Sequence, residues 1–406
     1  MIHLFLFDVD GVLTDAQGYL KALQDTVAHF SRQMGVGDLP PTEEEARAFE
    51  AYGLTSEWDS GPACVATLLL ERLRREPSLP LPPHWPDALS LLATHPYPLP
   101  HPDYAALARR VSERLGGRAS SAQAAHAALW DEVEATPSLE AHRPALAALL
   151  DTLLGHTSDF FRAPMTRHFQ HLVIGSQGVT ETYSIEPDFD SLAYLHHYDR
   201  PLLTPATHAR LHESAANGQA RIALYTARPS LPPVEADEPA LGYSPEAEMA
   251  RSLVGLEAWP LISLGRIRWL ARQAGQEVER LIKPCPVQAL AAVGAAWSGQ
   301  EAAALEAALA LHRDGELRPP LSDLKPVTLH VFEDTTGGLE AVERGVEELR
   351  AAGATVEWQP YGITPADGPK AAALAARGVP TYPSVNEAVL TALEAARSVL
   401  IRGAKQ

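Results

Sequence analysis

Cysteine is nearly absent: two residues in 406, Cys64 and Cys285. They lie too far apart in sequence to show metal-ligand spacing, and two cysteines make no disulfide framework, which suits a reducing compartment. Positive charge is also scarce. There are 33 Lys and Arg against 51 Asp and Glu, giving a formal charge of −18. A surface this acidic repels nucleic acid and anionic membrane, so neither is expected as a partner. It repels phosphorylated metabolites too, so a phosphate site would need local positive charge from a metal, lysines or backbone N–H groups. The opening apolar run is not preceded by a basic segment and is too short for a signal peptide or a membrane span. These features lead us to expect a soluble, cytoplasmic protein. Internal repeats and low-complexity segments are missing as well. Proline, by contrast, is plentiful at 34 residues, above the usual ~5%. It clusters at Pro77–Pro102, Pro229–Pro239 and Pro319–Pro326, where rigid loops are expected.

Residues 2–7, Ile-His-Leu-Phe-Leu-Phe, form a short and nearly continuous apolar run. Such a run reads as a strand buried on both faces, as in a parallel sheet. Asp8-Val9-Asp10-Gly11 follows directly. Two carboxylates therefore stand where the strand ends, the edge at which open α/β sheets collect ligands. An EF-hand calcium loop does not fit. It needs Gly at its sixth position and Glu at its twelfth, and counting from Asp8 those positions hold Leu13 and Tyr19.

From residue 17 to about 200 the pattern is helix and loop. Apolar residues at three- and four-residue spacing mark stretches such as 104–115, 121–134 and 142–154. Near Asp199-Arg200-Pro201 the character changes. A helix over Pro205–Ala216 leads into apolar runs at Ala220–Tyr225, Leu261–Leu264, Val327–Phe332 and Ala354–Trp358. A last short one lies near Val379–Tyr382, and helical stretches separate them all. Strands alternating with helices imply parallel strands with crossover helices. The expected organisation is an α/β core from residues 1–18 and 200–406, with a helical domain, 19–199, inserted after the first strand. An Ala-Leu-rich stretch at 295–325 reads as an extra helix pair on the core, a possible contact surface.

Three of these strands end in chemically useful residues: Asp8 and Asp10, then Thr226, then Glu333 and Asp334. In a parallel sheet the three ends share one edge. Four converging carboxylates repel one another unless a cation joins them, and oxygen-only ligands favour Mg²⁺ or Ca²⁺ over zinc.

This arrangement resembles the haloacid dehalogenase superfamily of phosphohydrolases. Asp8-Val9-Asp10-Gly11-Val12-Leu13-Thr14-Asp15 is similar to its first motif and Leu224-Tyr225-Thr226 to its second. Lys283-Pro284-Cys285-Pro286 is similar to its third, and Glu333-Asp334-Thr335-Thr336-Gly337-Gly338 to its fourth. The four occur in the family's order. The resemblance implies a Rossmann-like parallel sheet with the insert at 19–199 as an enlarged helical cap, where substrate would be selected. It implies a Mg²⁺-dependent phosphatase acting on a small phosphorylated metabolite. A phosphomutase on the same core, or a non-catalytic binding protein, are the alternatives.

By the same resemblance Asp8 is the nucleophile and Asp10 the acid–base group. Thr226 and Lys283 hold the phosphoryl oxygens, with Gly11 and Arg228 also at the phosphate. Asp8, Asp10 through its carbonyl, Asp334 and Glu333 are the expected Mg²⁺ ligands. Asp15 is expected to order its loop. Lys325-Pro326 is a weaker match to the third motif than Lys283-Pro284, and Lys325 reads as a solvated loop residue. His196-His197 and the helically spaced His208 and His212 lack accompanying carboxylates or cysteine and read as solvated. Glu57-Trp58-Asp59-Ser60 stands out as a polar-aromatic patch on a loop of the insert. Oligomeric state is open.

Overall fold

The computed structural model describes residues 2–115, 120–365 and 367–403. It divides into two compact units. One comprises Met1–Ala16, Thr180–Glu186 and Tyr198–Gln406, the other Gln17–Val179 and Pro187–His197. The segment Thr180–Glu186, which falls inside the insert by sequence, therefore belongs to the first unit. One tie is the Gly242 amide, which donates to the Thr182 carbonyl at 2.9 Å.

The first unit is built on a six-stranded sheet: β1 (Ile2–Phe7), β4 (Ala220–Tyr225), β5 (Leu261–Ile262), β6 (Val327–Glu333), β7 (Val356–Ile363) and β8 (Thr381–Tyr382). The spatial order is β5-β4-β1-β6-β7-β8, and every neighbouring pair is parallel. β2 (Thr14–Asp15) and β3 (Arg200–Pro201) form a separate two-residue antiparallel ladder. β1 is apolar apart from His3 because it lies in the middle of this sheet and is covered on both faces.

Alternation divides its side chains between two cores. Leu4 and Leu6, with Ala223, Tyr225, Leu329 and Val331, pack against the helices Leu264–Ala274, Val287–Ser298, Glu301–Asp314 and Thr336–Ala351. Phe5, Phe7, Leu224 and Phe332 pack against Pro205–Ala216, Glu246–Leu253 and the Val385–Gly403 helix. Each such fully buried Leu or Phe contributes on the order of 1.5–3 kcal/mol relative to exposure. The α/β alternation expected from sequence is present, although β7 runs five residues beyond the apolar segment that signalled it.

The extra stretch at 295–325 is not a helix pair. Its first residues finish the Val287–Ser298 helix, and one added helix, Glu301–Asp314, follows. Ala304, Leu305, Ala307 and Ala308 of that helix are buried in the core, so its apolar face is covered by its own chain. The second unit is helical, as its spacing predicts. Within the proline-rich stretch, however, Trp85–Thr94 forms a helix with Pro86 in its first turn, where a missing N–H costs nothing. Among the described residues no helix is long and apolar enough to cross a membrane.

Candidate active site

β1 pairs with β4 through Phe7↔Leu224 and with β6 through Phe7↔Phe332. One residue further on, Asp8 falls between Tyr225 and Glu333. All three have the side-chain parity of Leu6, so they gather at the carboxyl edge on one face. The Asp8 amide donates to the Phe332 carbonyl at 3.0 Å, fixing the strand end. Thr226 is anchored alongside: its amide donates to the Ile262 carbonyl at 3.0 Å. Gln288, buried, donates to the Thr226 carbonyl at 2.7 Å.

Lys283 Nζ lies 3.1 Å from Asp8 Oδ1 and 2.5 Å from Glu333 Oε1. It also sits 3.9 Å from the centre of the Tyr225 ring. Glu333 is fully buried and accepts from Lys283, from the Tyr225 hydroxyl at 3.0 Å, and from the amide and hydroxyl of Thr335 at 3.3 and 3.0 Å. Both of its oxygens are thus engaged, and its first task is to hold Lys283. Lys325, by contrast, is exposed and precedes β6 at the opposite end of the strand.

Burial pushes the Asp8 carboxyl well above the usual carboxylate range. Glu333, Asp334 and Asp10 push it the same way, and Lys283 opposes them. Burial alone would lower Lys283, but Asp8 and Glu333 outweigh it and hold the ammonium above its ordinary value. Tyr225 is also held well above its usual range, by burial and then by Glu333.

The loop after β1 curls back on itself. Leu13 and Thr14 amides donate to the Val9 carbonyl at 2.8 and 2.9 Å, and the Gly11 amide to the Thr14 carbonyl at 2.9 Å. Gly11 has φ +72°, and a Cβ there would lie 2.5 Å from Asp334 Oδ2. Glycine is required both by the left-handed backbone and by the closeness of that carboxylate. Gly338 plays a similar part: a Cβ there would lie 1.7 Å from Glu333 Oε1. Gly11 therefore makes room for the Asp334 carboxylate.

Arg228 is where the geometry departs most from expectation. Its guanidinium, 1% exposed, does not stand free to meet an anion. Nε donates to both Asp10 oxygens at 2.9 and 3.0 Å, and Nη2 donates to Asp10 Oδ1 at 2.5 Å and to Asp199 Oδ2 at 2.9 Å. The Asp10 side chain is itself 39% exposed. Sequence reasoning missed Asp199, Tyr225 and Lys370, whose Nζ lies 2.6 Å from Asp334 Oδ2. Tyr225 directly precedes Thr226 at a strand end, a usable signal. Asp199 and Lys370 sit in segments without any motif.

Asp8, Glu333 and Asp334 each offer an oxygen within 4.8 Å of the others. Among the described residues this is the group able to hold a metal ion. The donors fit a hard divalent cation: all are oxygens, two come from adjacent residues on one strand end, and glycine leaves room beside Asp334. The charges fit as well. Of the side chains named, five carboxylates (Asp8, Asp10, Asp199, Glu333, Asp334) meet three cations (Arg228, Lys283, Lys370), an excess of two negative charges. Glu333 is the least free to serve as a ligand.

The other sequence candidates lie elsewhere. The His208 and His212 rings lie 4.4 Å apart, tilted to one another, with His208 Nε2 3.0 Å from the Gly255 carbonyl and His212 stacked on Trp259. His196 and His197 are exposed on the short Tyr194–Tyr198 helix. Asp15 lies in β2, paired with Arg200. Glu57-Trp58-Asp59-Ser60 is not a loop but the first turn of the Glu57–Arg75 helix. Trp58 packs edge-on to Tyr19 and Phe169 and donates to Gln170 at 3.1 Å, while Thr157 donates to Asp59 at 2.5 Å.

No family model matches this chain, and no curated protein matches it. An X-ray structure from the Northeast Structural Genomics Consortium, target ZR25, aligns over 98% of this chain and all of its own, with TM-score 0.62 and 15% identity. At that identity the likeness is one of fold alone. Phosphatase Tt82 from Thermococcus thioreducens aligns over 87% of this chain and 91% of its own, at 15% identity and TM-score 0.38. A likeness that weak carries no argument.

Proposed function

We propose that the protein is a Mg²⁺-dependent phosphatase of the haloacid dehalogenase type, hydrolysing a small phosphorylated metabolite, with the helical unit as its cap. One observation carries the reading: the Lys283 ammonium is seated between Asp8 and Glu333 at the carboxyl edge of the parallel sheet, with Thr226 on the neighbouring strand end. A carboxylate nucleophile attacking an anionic phosphate needs a fixed cation beside it, and Lys283 has that position.

In this reading Asp8 attacks phosphorus and forms an aspartyl phosphate, dividing one displacement into two. Asp10 protonates the leaving oxygen and later takes a proton from the attacking water. Arg228 orients Asp10 rather than binding phosphate. Lys283 and Thr226 hold the phosphoryl oxygens. Asp8 and Asp334 would hold Mg²⁺, with Glu333 behind them. When bound, the metal neutralises charge on the transferring group. Glu333 and Tyr225 keep Lys283 in place.

The test is phosphate release from an aryl phosphate and a panel of sugar and acid phosphates, with and without Mg²⁺, for wild type and Asp8→Asn. Release that needs Mg²⁺ and disappears in Asp8→Asn is the expected result. Release that persists in Asp8→Asn would overturn the nucleophile assignment.

A further inference from the structure

Away from the sheet edge, three side chains from three segments form a relay. Cys285 lies in the turn before the Val287–Ser298 helix, His312 near the end of Glu301–Asp314, and Glu348 in the last turns of Thr336–Ala351. Glu348 Oε1 is 2.9 Å from His312 Nδ1, and His312 Nε2 is 3.7 Å from Cys285 Sγ. A carboxylate at Nδ1 fixes the proton on that nitrogen and leaves Nε2 free to accept. In that tautomer the Cys285 thiol can donate to His312 Nε2. Cys285 is half-buried at the edge of the core and His312 is partly exposed.

Burial pushes the Cys285 thiol above its ordinary range. The Val287 amide and the Arg344 charge pull it down, and Glu348 adds to the rise. Without a base this thiol would react slowly near neutral pH, because the thiolate is the nucleophile. Cys64 has no such base among the groups that shift it. It is fully buried, and burial holds its thiol far above the usual range.

We propose that Cys285 is a histidine-activated thiol, a modification site that takes small hydroperoxides, with His312 as its base and Glu348 as the residue that orients His312. The thiol proton passes to His312 Nε2. The sulfur lone pair attacks one peroxide oxygen, the S–O bond forms and the O–O bond breaks. The departing hydroxide, or alkoxide where the peroxide is an organic hydroperoxide, takes the proton from His312 and leaves as water or alcohol. Sulfur is oxidised by two electrons to a sulfenic acid, and the peroxide is reduced by two. The reaction would occur two residues from Lys283, on the loop that carries it.

The experiment treats the full chain with hydrogen peroxide in the presence of a cyclic dione that traps sulfenic acid, and reads adducts by peptide mass. It does not depend on phosphatase activity. Cys285 is expected to be trapped and Cys64 spared. An unassisted thiol is only a few per cent thiolate at pH 7, so His312→Gln should slow trapping on the order of tenfold. That gap should narrow as pH rises and solvent ionises the thiol without help. Glu348→Gln, a milder change, should give a smaller loss with the same pH trend. Thermal melting checks that both variants are folded. An untrapped Cys285 in wild type, a His312→Gln rate equal to wild type at pH 7, or a gap that does not change with pH would each overturn the proposal.

Discussion

Arg228 holds Asp10 in a two-pronged ion pair, Nε to both carboxylate oxygens at 2.9 and 3.0 Å, and ties it through Nη2 to the buried Asp199. The guanidinium and Asp199 are each 1% exposed. Removing one partner of a buried pair leaves an uncompensated charge, a loss of about 3–5 kcal/mol. Arg228→Ala should therefore lower unfolding free energy by that order in urea titration. Combining it with Asp199→Leu should recover much of the loss, since the stranded charge is gone. Arg228→Lys keeps the charge but not the fork. It should fold and lower kcat more than it raises KM.

Asp8→Asn separates chemistry from stability. Asp8 has a folded-state pKa raised above its unfolded value, so its ionised form is costly at neutral pH in the metal-free protein. The amide removes that cost while Lys283 keeps Glu333. With chelator present, Asp8→Asn should melt at or above the wild-type temperature. Turnover should fall by at least on the order of 10³-fold, as expected for a lost nucleophile. Adding Mg²⁺ should raise the wild-type melting temperature more than that of Asp8→Asn.

How much was legible depended on the range of the signal. β1, β4 and β6 were readable because a strand buried on both faces is dominated by apolar residues, and the carboxylates and threonine at their ends then mark the sheet edge. Asp8, Thr226, Lys283 and Asp334 were readable as motif positions. Their partners were not. Asp199 reaches Arg228 across 29 positions and Lys370 reaches Asp334 across 36, and neither sits in a periodic or motif-bearing segment. Arg228 was read as an anion-binding cation because sequence gives its charge but not the carboxylates that already hold it. The added helix at Glu301–Asp314 was over-read as two, since the Ala-rich Val287–Ser298 helix runs into it with only Gly299-Gln300 between them.

Lys370 Nζ stands 2.6 Å from Oδ2 of Asp334, a carboxylate of the group able to hold a metal ion. Its side chain is 41% exposed, so solvent weakens the pair to the range of surface ion pairs. Lys370→Gln should tighten Mn²⁺ binding roughly two- to five-fold, read by electron paramagnetic resonance of the free ion. Unchanged or weaker binding would show that Lys370 does not compete with the metal.

His3 and His330 pair across β1 and β6, Nδ1 to Nε2 at 3.0 Å, and His330 Nδ1 lies 3.1 Å from the Tyr361 hydroxyl. Burial lowers both, His330 to about 3. Unfolded, each returns to 6.5. Between those values the unfolded chain binds more protons, so stability is complete above pH 6.5 and is lost as pH falls toward 3. Each unit of that fall costs up to about 1.4 kcal/mol for His330. His330→Phe keeps the ring stacked on Phe5, 4.7 Å away in wild type, and removes the titration. Urea midpoints at pH 7.5 and 4.5 should separate less in this variant than in wild type. The difference will be partial, because His168 in the helical unit is also lowered to about 3 and titrates in the same window. Equal separation in the two proteins would mean that the buried pair does not drive the acid limb.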